Sequence, residues 1–153
     1  MSCGILTTAT ITYKMPKQKR QQPKVVQDEH ILNNALLLTV LLLQKEWTPL
    51  SQVIATGDYL NHAIFTAKEL NCALSFLVTA GYVELNSMKE MCVTEKALGL
   101  CDQTIEKAGV SRKWKLIYEK LKDPAIGNSR KIKIYFTETE IKSAYQQYVE
   151  NLQ

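Results

Sequence analysis

The chain has 153 residues, of which 46% are hydrophobic and 22% are charged, and its formal net charge at pH 7 is +4. With only six glycines and four prolines, this composition excludes collagen-like, coiled-coil-only and wholly disordered chains and predicts one globular core. The longest nearly apolar run, residues 31 to 43, is shorter than the roughly 20 residues that span a bilayer, so we expect neither a transmembrane helix nor a membrane partner.

The chain start and the cysteine spacing predict the compartment. The first eleven residues lack the basic start, the sustained apolar core and the cleavage site of a secretory signal. The four cysteines form neither a CxxC pair nor a dense disulfide framework, which suits small buried side chains in a reducing compartment. We therefore expect a cytoplasmic protein. The cysteines are Cys3, Cys72, Cys92 and Cys101.

Positive charge is concentrated in two regions. Residues 1 to 27 contain five basic residues and no acidic residue, and residues 107 to 133 contain nine basic residues against two acidic ones. Clustered cations of this kind bind phosphates, although a solvated tail and solvated helix faces produce the same pattern. We interpret residues 1 to 27 as a basic, disordered arm, in which residues 7 to 13 have the β-branched content of a possible short strand.

The first two helices are predicted from an apolar run and a cap. A helix is expected over residues 28 to 45, and eight of the nine residues from 35 to 43 are apolar. Such a helix is buried on more than one side, either as the central helix of the domain or as half of a subunit interface. Thr48 and Pro49 are typical of the N-cap and first residue of a second helix. This helix is predicted to end near His62, with a possible break at Gly57.

A third helix and a hairpin follow. Thr66 and Glu69 form a capping box, and apolar residues recur at spacings of three and four, as on the buried face of a helix. Gly81 lies where a left-handed C-terminal cap is needed. Residues 82 to 85 and 91 to 94 are typical of the two strands of a hairpin. The apolar residues of helix 3 are Leu70, Ala73, Leu74, Leu77 and Val78.

Three further helices are predicted beyond the hairpin. Thr94 is expected to cap one helix that continues to residue 108, and Ser111 to cap the next, which ends before Pro124. Thr137 and Glu140 form a second capping box and open the last helix. The inward residues of the second of these helices are predicted to be Trp114, Ile117, Tyr118 and Leu121, and those of the last Ile141, Ala144, Tyr145, Tyr148 and Leu152.

One more strand is predicted between the last two helices. After a loop over residues 123 to 130, residues 131 to 136 alternate strictly between polar and apolar. This alternation predicts a half-buried strand with Ile132, Ile134 and Phe136 on one face. Because this strand needs a partner for its edge and helix 1 is more apolar than one domain face requires, a homodimer is expected.

The order helix, helix, capped helix, hairpin, helix is that of a winged helix-turn-helix domain. Residues 70 to 83, with Leu70, Leu74, Leu77-Val78 and Ala80-Gly81-Tyr82-Val83, resemble the passage from recognition helix to wing in bacterial winged-helix regulators. Val93-Thr94-Glu95-Lys96-Ala97 resembles the exit from their wing. Residues 58 to 70 are similar to a stretch of small bacterial winged-helix-like proteins, although Phe65 stands where a proline is common.

The resemblance covers roughly residues 30 to 105 and implies a mainly α fold with a small β-hairpin (α+β). It divides the chain into the arm, a winged-helix domain over residues 28 to 110, and a C-terminal strand and helix extension over residues 111 to 153, packed on the same core. It implies double-stranded DNA as a partner and, as the function, a DNA-binding transcriptional regulator or another DNA-associated protein. The alternative is a protein–protein interaction module in which helix 3 is a docking face.

Candidate DNA-binding residues follow from this interpretation. Four polar residues form one stripe on helix 3, the face that such a helix places in a major groove. The predicted wing and the basic helix that begins near Ser111 offer further cations. An ordinary solvated face would have the same composition. The candidates are Lys68, Asn71, Ser75, Thr79, Lys89, Arg112 and Lys113.

The reactive residues give little support for catalysis. His62 lies four residues after Asp58, a spacing that favours a hydrogen-bonded turn over a metal or catalytic site, and His30 is distant in sequence. The cysteines have no recognised metal-ligand spacing. The sequence also lacks a Gly-rich phosphate loop, GxSxG and HExxH. We therefore expect no enzyme, no metal site and no small-molecule cofactor.

Overall fold

The computed structural model describes residues 25 to 123 and 131 to 153. Seven helices and one two-stranded antiparallel sheet lie within these ranges: α1 (Val25–Gln44), α2 (Leu50–Asn61), α3 (Ala67–Thr79), β1 (Val83–Leu85), β2 (Met91–Val93), α4 (Glu95–Leu100), α5 (Gln103–Lys107), α6 (Val110–Leu121) and α7 (Glu138–Glu150). The predicted mainly helical α+β fold with one small hairpin is confirmed at this level. The interpretations of residues 1 to 24 and 124 to 130 lie outside the described residues.

Helix α1 is the central element of the core. It packs against α2, α3, α6 and β2, and every residue from Ala35 to Leu42 is buried. Thr39, the polar residue in this run, is satisfied because its hydroxyl donates to the carbonyl of Ala35 at 2.7 Å. Of the two predicted roles, α1 therefore has that of the central helix. The helix begins at Val25, three residues earlier than expected.

The homodimer stays a prediction, but the structure weakens both observations from which it was predicted, the apolar helix 1 and the unpaired strand edge. From Ala35 to Leu42 the apolar surface of α1 is covered by other elements of the same chain. Residues 131 to 136 form no strand, so they do not present the sheet edge that was to need a partner.

The sheet is extended by one residue from the α1–α2 connection. In the hairpin, Val83 pairs with Val93 and Leu85 with Met91. On the opposite edge of β2, the backbone of Thr48 exchanges two hydrogen bonds with that of Met91, at 2.8 and 3.0 Å. The prediction that Thr48 caps α2 is wrong, because Pro49 is the N-cap and the Thr48 hydroxyl donates to the carbonyl of Glu46.

Both capping boxes are confirmed, and α3 ends as predicted. The Thr66 and Thr137 hydroxyls accept from the amides of Glu69 and Glu140, whose carboxylates accept in return from the threonine amides. Gly81 has φ of +76°, the left-handed conformation that favours glycine at a helix end.

Helix α2 continues through Gly57 without the predicted break. Gly57 is buried against Phe65, and a Cβ atom on Gly57 would lie 3.2 Å from Cε2 of the Phe65 ring. A glycine is therefore tolerated in the helix because it makes room for this aromatic side chain.

The predicted cap at Thr94 is confirmed, because its hydroxyl accepts from the amide of Ala97, but one helix division was missed and one predicted start is wrong. The helix expected from residue 94 to 108 is divided into α4 and α5, because the Asp102 carboxylate accepts from the amide of Ile105 and caps a new helix. Helix α6 begins at Val110 after Gly109, without a side-chain cap from Ser111. Ile117 and Leu121 are buried as expected, whereas Trp114 and Tyr118 are half-buried against the core.

The predicted inward stripe of α7 is only partly buried. Ile141 and Ala144 are buried and Tyr148 is half-buried, whereas Tyr145 and Leu152 are exposed. Helix α7 packs on α2, so its contact with the rest of the domain is narrower than the stripe predicted.

Within the described ranges, none of the helices combines the length and the apolar character needed to cross a bilayer.

Candidate functional site

The polar stripe of α3 lies under a segment of the same chain. Asn71 and Ser75 are one helical turn apart, and they face residues 133 to 136, which precede α7. Asn71 is 5% exposed and Ser75 is 4% exposed. These two residues are therefore part of an internal contact.

Asn71 binds three backbone groups of the covering segment. Its Nδ2 donates to the carbonyl of Phe136 at 2.8 Å. Its Oδ1 accepts from the amides of Tyr135 at 2.8 Å and Phe136 at 3.0 Å. A buried carboxamide that makes three hydrogen bonds fixes the position and direction of the segment.

Ser75 supplies the next point of attachment. Its hydroxyl accepts from the amide of Lys133 at 2.7 Å and donates to the carbonyl of the same residue at 3.1 Å. Four residues of an α-helix rise about 6 Å, which is close to the length of two extended residues. Ser75 therefore binds Lys133, and Asn71 binds Tyr135 two residues later together with Phe136, so the segment runs antiparallel to α3.

The structure corrects the prediction that the stripe of α3 is exposed. Asn71 and Ser75 have no free surface for a base edge, because residues 133 to 136 cover them. Lys68 and Thr79, at the two ends of the stripe, are exposed. A polar residue on a helix is ambiguous in sequence, since water and a covering backbone satisfy it equally well.

The cation predicted in the hairpin, Lys89, is already paired. Lys89 Nζ donates to Oε1 of Glu140 on α7 and lies 5.5 Å from the centre of the Phe136 ring. The pKa of Glu140 falls from 4.5 to about 2, first because of the hydrogen bond from Lys89 and then because the amide of Thr137 also binds the carboxylate. Lys89 therefore connects the hairpin to the start of α7.

The basic residues of α6 belong to another part of the domain. Helix α6 packs mainly on α1 and α5, whereas α3 packs on α1 and β1. Arg112 is exposed and Lys113 is half-buried near the start of α6. The structure thus does not bring these two candidates together with the stripe of α3.

The predicted Asp58–His62 turn is held by the backbone. His62 has φ of +51° and its amide donates to the carbonyl of Asp58 at 2.7 Å. The Asp58 carboxylate instead accepts from the Tyr148 hydroxyl at 3.0 Å, which raises the pKa of Tyr148. This contact joins α2 to α7.

The remaining reactive side chains are scattered. Cys72, Cys92 and Cys101 are free and half-buried, and burial raises the pKa of the Cys101 thiol. Among the residues that the structure describes, no group of three or more His, Cys, Asp or Glu side chains is placed to hold a metal ion.

The exposed surface of the covering segment was not predicted from the sequence. Ile132 is 59% exposed and Ile134 is 75% exposed, whereas Phe136 is 3% exposed. The three residues alternate with polar residues, as the predicted strand requires. Only Phe136 reaches the core, whereas the two isoleucines remain exposed. Together with Asn71 and Ser75, Ile132 and Ile134 define the candidate site.

Comparison of the chain with protein-family models, with curated proteins and with solved structures found no match.

Proposed function

We propose that this protein is a non-enzymatic protein–protein interaction module on a winged-helix scaffold. The observation that carries the proposal is the use of α3: its polar stripe holds an extended segment, and that segment presents Ile132 and Ile134 to solvent. Large exposed aliphatic side chains next to backbone polar groups are typical of surfaces that bind other chains.

The winged-helix part of the proposal is supported by the element order. Helix α1, the paired residue Thr48, helices α2 and α3 and the hairpin follow one another as in the winged-helix arrangement. This scaffold serves more than one function, so the function has to be argued from the surface.

Three of the seven DNA-binding candidates favour the interaction module over a DNA reader. Asn71 and Ser75 are buried, and Lys89 is paired with Glu140. On α3 this leaves Lys68 and Thr79, which carry one positive charge between them. Base readout by a helix needs several donors and acceptors at the groove, supported by phosphate contacts.

A DNA-associated protein is the second candidate. It is supported by the exposed Lys68 and Arg112 and the half-buried Lys113, together with the five basic residues of the first 27. These cations favour contacts with phosphates, which carry no sequence information. This candidate predicts affinity for any duplex, with no preferred site.

The proposed location is the cytoplasm. The three cysteines of the described part of the chain are free thiols, which suits a reducing compartment.

Two measurements on the full chain test the function. Selection from a random peptide display library on the immobilised protein is expected to enrich a consensus motif, and titration with mixed-sequence duplex at rising salt is expected to show only binding that salt abolishes. Failure to enrich any motif would contradict the interaction module. Preference for one duplex sequence that is lost on Lys68→Ala would also contradict it and would favour the DNA reader. Lys142→Ala, an exposed substitution on α7, is the matched control.

A further inference from the structure

Residues 131 to 135 have one edge bound and the other edge open. The backbone polar groups of Lys133 and the amide of Tyr135 face α3, where Ser75 and Asn71 bind them. In an extended chain, the backbone groups of successive residues point in opposite directions. Those of Ile132 and Ile134 therefore point away from α3, and within the described ranges they have no hydrogen-bond partner.

The side chains divide into two faces in the same way. Ile132 and Ile134 lie on one face, and both are exposed. Lys131 and Lys133 lie on the other face, and both are exposed. Lys133 Nζ lies 5.1 Å from the centre of the Tyr135 ring, and neither lysine has an ion pair within the described residues. The open edge is thus aliphatic on one face and basic on the other.

We propose that residues 131 to 135 bind an extended peptide in which aliphatic and acidic residues alternate. The peptide adds as a strand along the outer edge, where the amides and carbonyls of Ile132 and Ile134 offer up to four backbone hydrogen bonds. Its aliphatic residues lie beside the two isoleucines, and its carboxylates lie beside Lys131 and Lys133. This inference rests on the proposed function, because it names the partner of the interaction module.

Charge complementarity distinguishes the chains that could pair with this backbone edge. Two copies of the segment paired with each other would bring basic residues close together across the strands, which is unfavourable. The first 24 residues of the chain contain five basic residues and no acidic one, so they are equally poor partners. An acidic peptide gains favourable opposite-charge pairs at both lysine positions.

α3 holds the segment in the conformation that the peptide needs. The hydrogen bonds from Asn71 and Ser75 fix Lys133, Tyr135 and Phe136 before any partner arrives. A prearranged strand loses less conformational entropy on binding than a free chain. Helix α3 thus takes the place of the neighbouring strand in a sheet.

A charge exchange tests this proposal. Fluorescence anisotropy of the full chain is measured with a labelled peptide of alternating valine and glutamate, and with its counterpart of alternating valine and lysine. We expect the wild type to bind the glutamate peptide. The double variant Lys131→Glu, Lys133→Glu is expected to bind it about tenfold more weakly and to gain affinity for the lysine peptide. The matched control reverses two exposed lysines elsewhere, Lys107 and Lys115, and should bind like the wild type.

Amide hydrogen exchange locates the bound peptide. Exchange at Ile132 and Ile134 is expected to slow on binding, and Ile134→Pro, which removes one donor at the edge, is expected to weaken binding. If the variant lost its fold, the wild-type exchange rates would still decide the question. A peptide affinity that the double reversal leaves unchanged would overturn the edge site. So would light scattering that shows a dimer for the wild type and a monomer for Ile134→Pro, because the edge would then pair with a second copy of the chain.

Failure of the edge site and failure of the proposed function give different results. If display selection enriches peptides that leave exchange at Ile132 and Ile134 unchanged, the chain is an interaction module with another binding surface, and this inference is wrong. If selection enriches no motif and the glutamate peptide does not bind, both are wrong.

Discussion

The hydroxyl of Ser75 is hydrogen-bonded to both backbone polar groups of Lys133, 58 residues further along the chain. Backbone groups of an extended segment are normally paired by another strand. Here a helix provides the partner through side chains, with Asn71 one turn before Ser75 doing the same for Tyr135 and Phe136. The contact therefore depends on two side chains, so a single substitution is sufficient to weaken it.

Substitution of Asn71 tests the importance of this contact for stability. Asn71→Ala removes three hydrogen bonds and leaves backbone groups of Tyr135 and Phe136 without their partner. The free energy of unfolding, from chemical denaturation, is expected to fall by about 1–3 kcal/mol. Thr79→Ala changes an exposed residue of the same helix and should stay within about 0.5 kcal/mol of the wild type. Equal values for the two variants would contradict the role of Asn71.

The apolar face of α3 gives a second prediction. Leu74 and Leu77 are both 0% exposed, so truncation of either to alanine should lower the free energy of unfolding by about 2–5 kcal/mol. Leu98 on α4 is 39% exposed, so Leu98→Ala is the control and should cost less than either. Wild-type denaturation of the Leu74 and Leu77 variants would show that the assigned face of α3 is wrong.

The Lys89–Glu140 pair predicts a dependence of stability on pH. The pKa of Glu140 is lowered from 4.5 to about 2 in the folded protein, so its contribution is complete above about pH 4.5 and is lost as pH falls towards 2. Glu140→Gln should lower the free energy of unfolding at neutral pH, and its difference from the wild type should shrink across this window. Glu138→Gln, an exposed change in the same helical turn, is the control. A difference that is constant with pH would contradict the prediction.

The basic first residues give a prediction for nucleic acid. Deletion of residues 1 to 24 removes five cations and should weaken any binding to duplex DNA by a similar factor for every sequence, with the effect fading as salt rises. The measurement is a duplex titration at several salt concentrations. Binding that survives the deletion with its salt dependence intact would show that the cations of the described domain, such as Arg112, carry it.

Local signals predicted both ends of α3 and the start of α7 correctly. The two capping boxes and Gly81 each act through atoms within a few residues, so the sequence alone contains the whole interaction. The division between α4 and α5 was missed although its signal is also local. Asp102 caps α5, but the apolar spacing of residues 97 to 108 fits one continuous helix as well as two short ones.

The candidate site could not be predicted in the same way. The alternation of residues 131 to 136 predicted a half-buried strand, which is wrong: the segment is bound by helix side chains instead of a second strand, and Ile132 and Ile134 are exposed. Asn71 and Ser75 were placed on one face of α3 correctly. Whether that face met water, DNA or protein depends on a contact between residues 58 to 65 positions apart, which no local pattern records.

Because Gly57 packs against Phe65, the side chain that is tolerated at either position depends on the residue at the other. Alanine is a better helix former than glycine by about 1 kcal/mol, yet at position 57 its methyl group would meet the aromatic ring at 3.2 Å. Alanine at position 57 therefore requires the Phe65 ring to shift by a few tenths of an ångström, or a smaller residue at position 65. Positions 57 and 65 should therefore be exchanged together rather than singly when this domain is engineered.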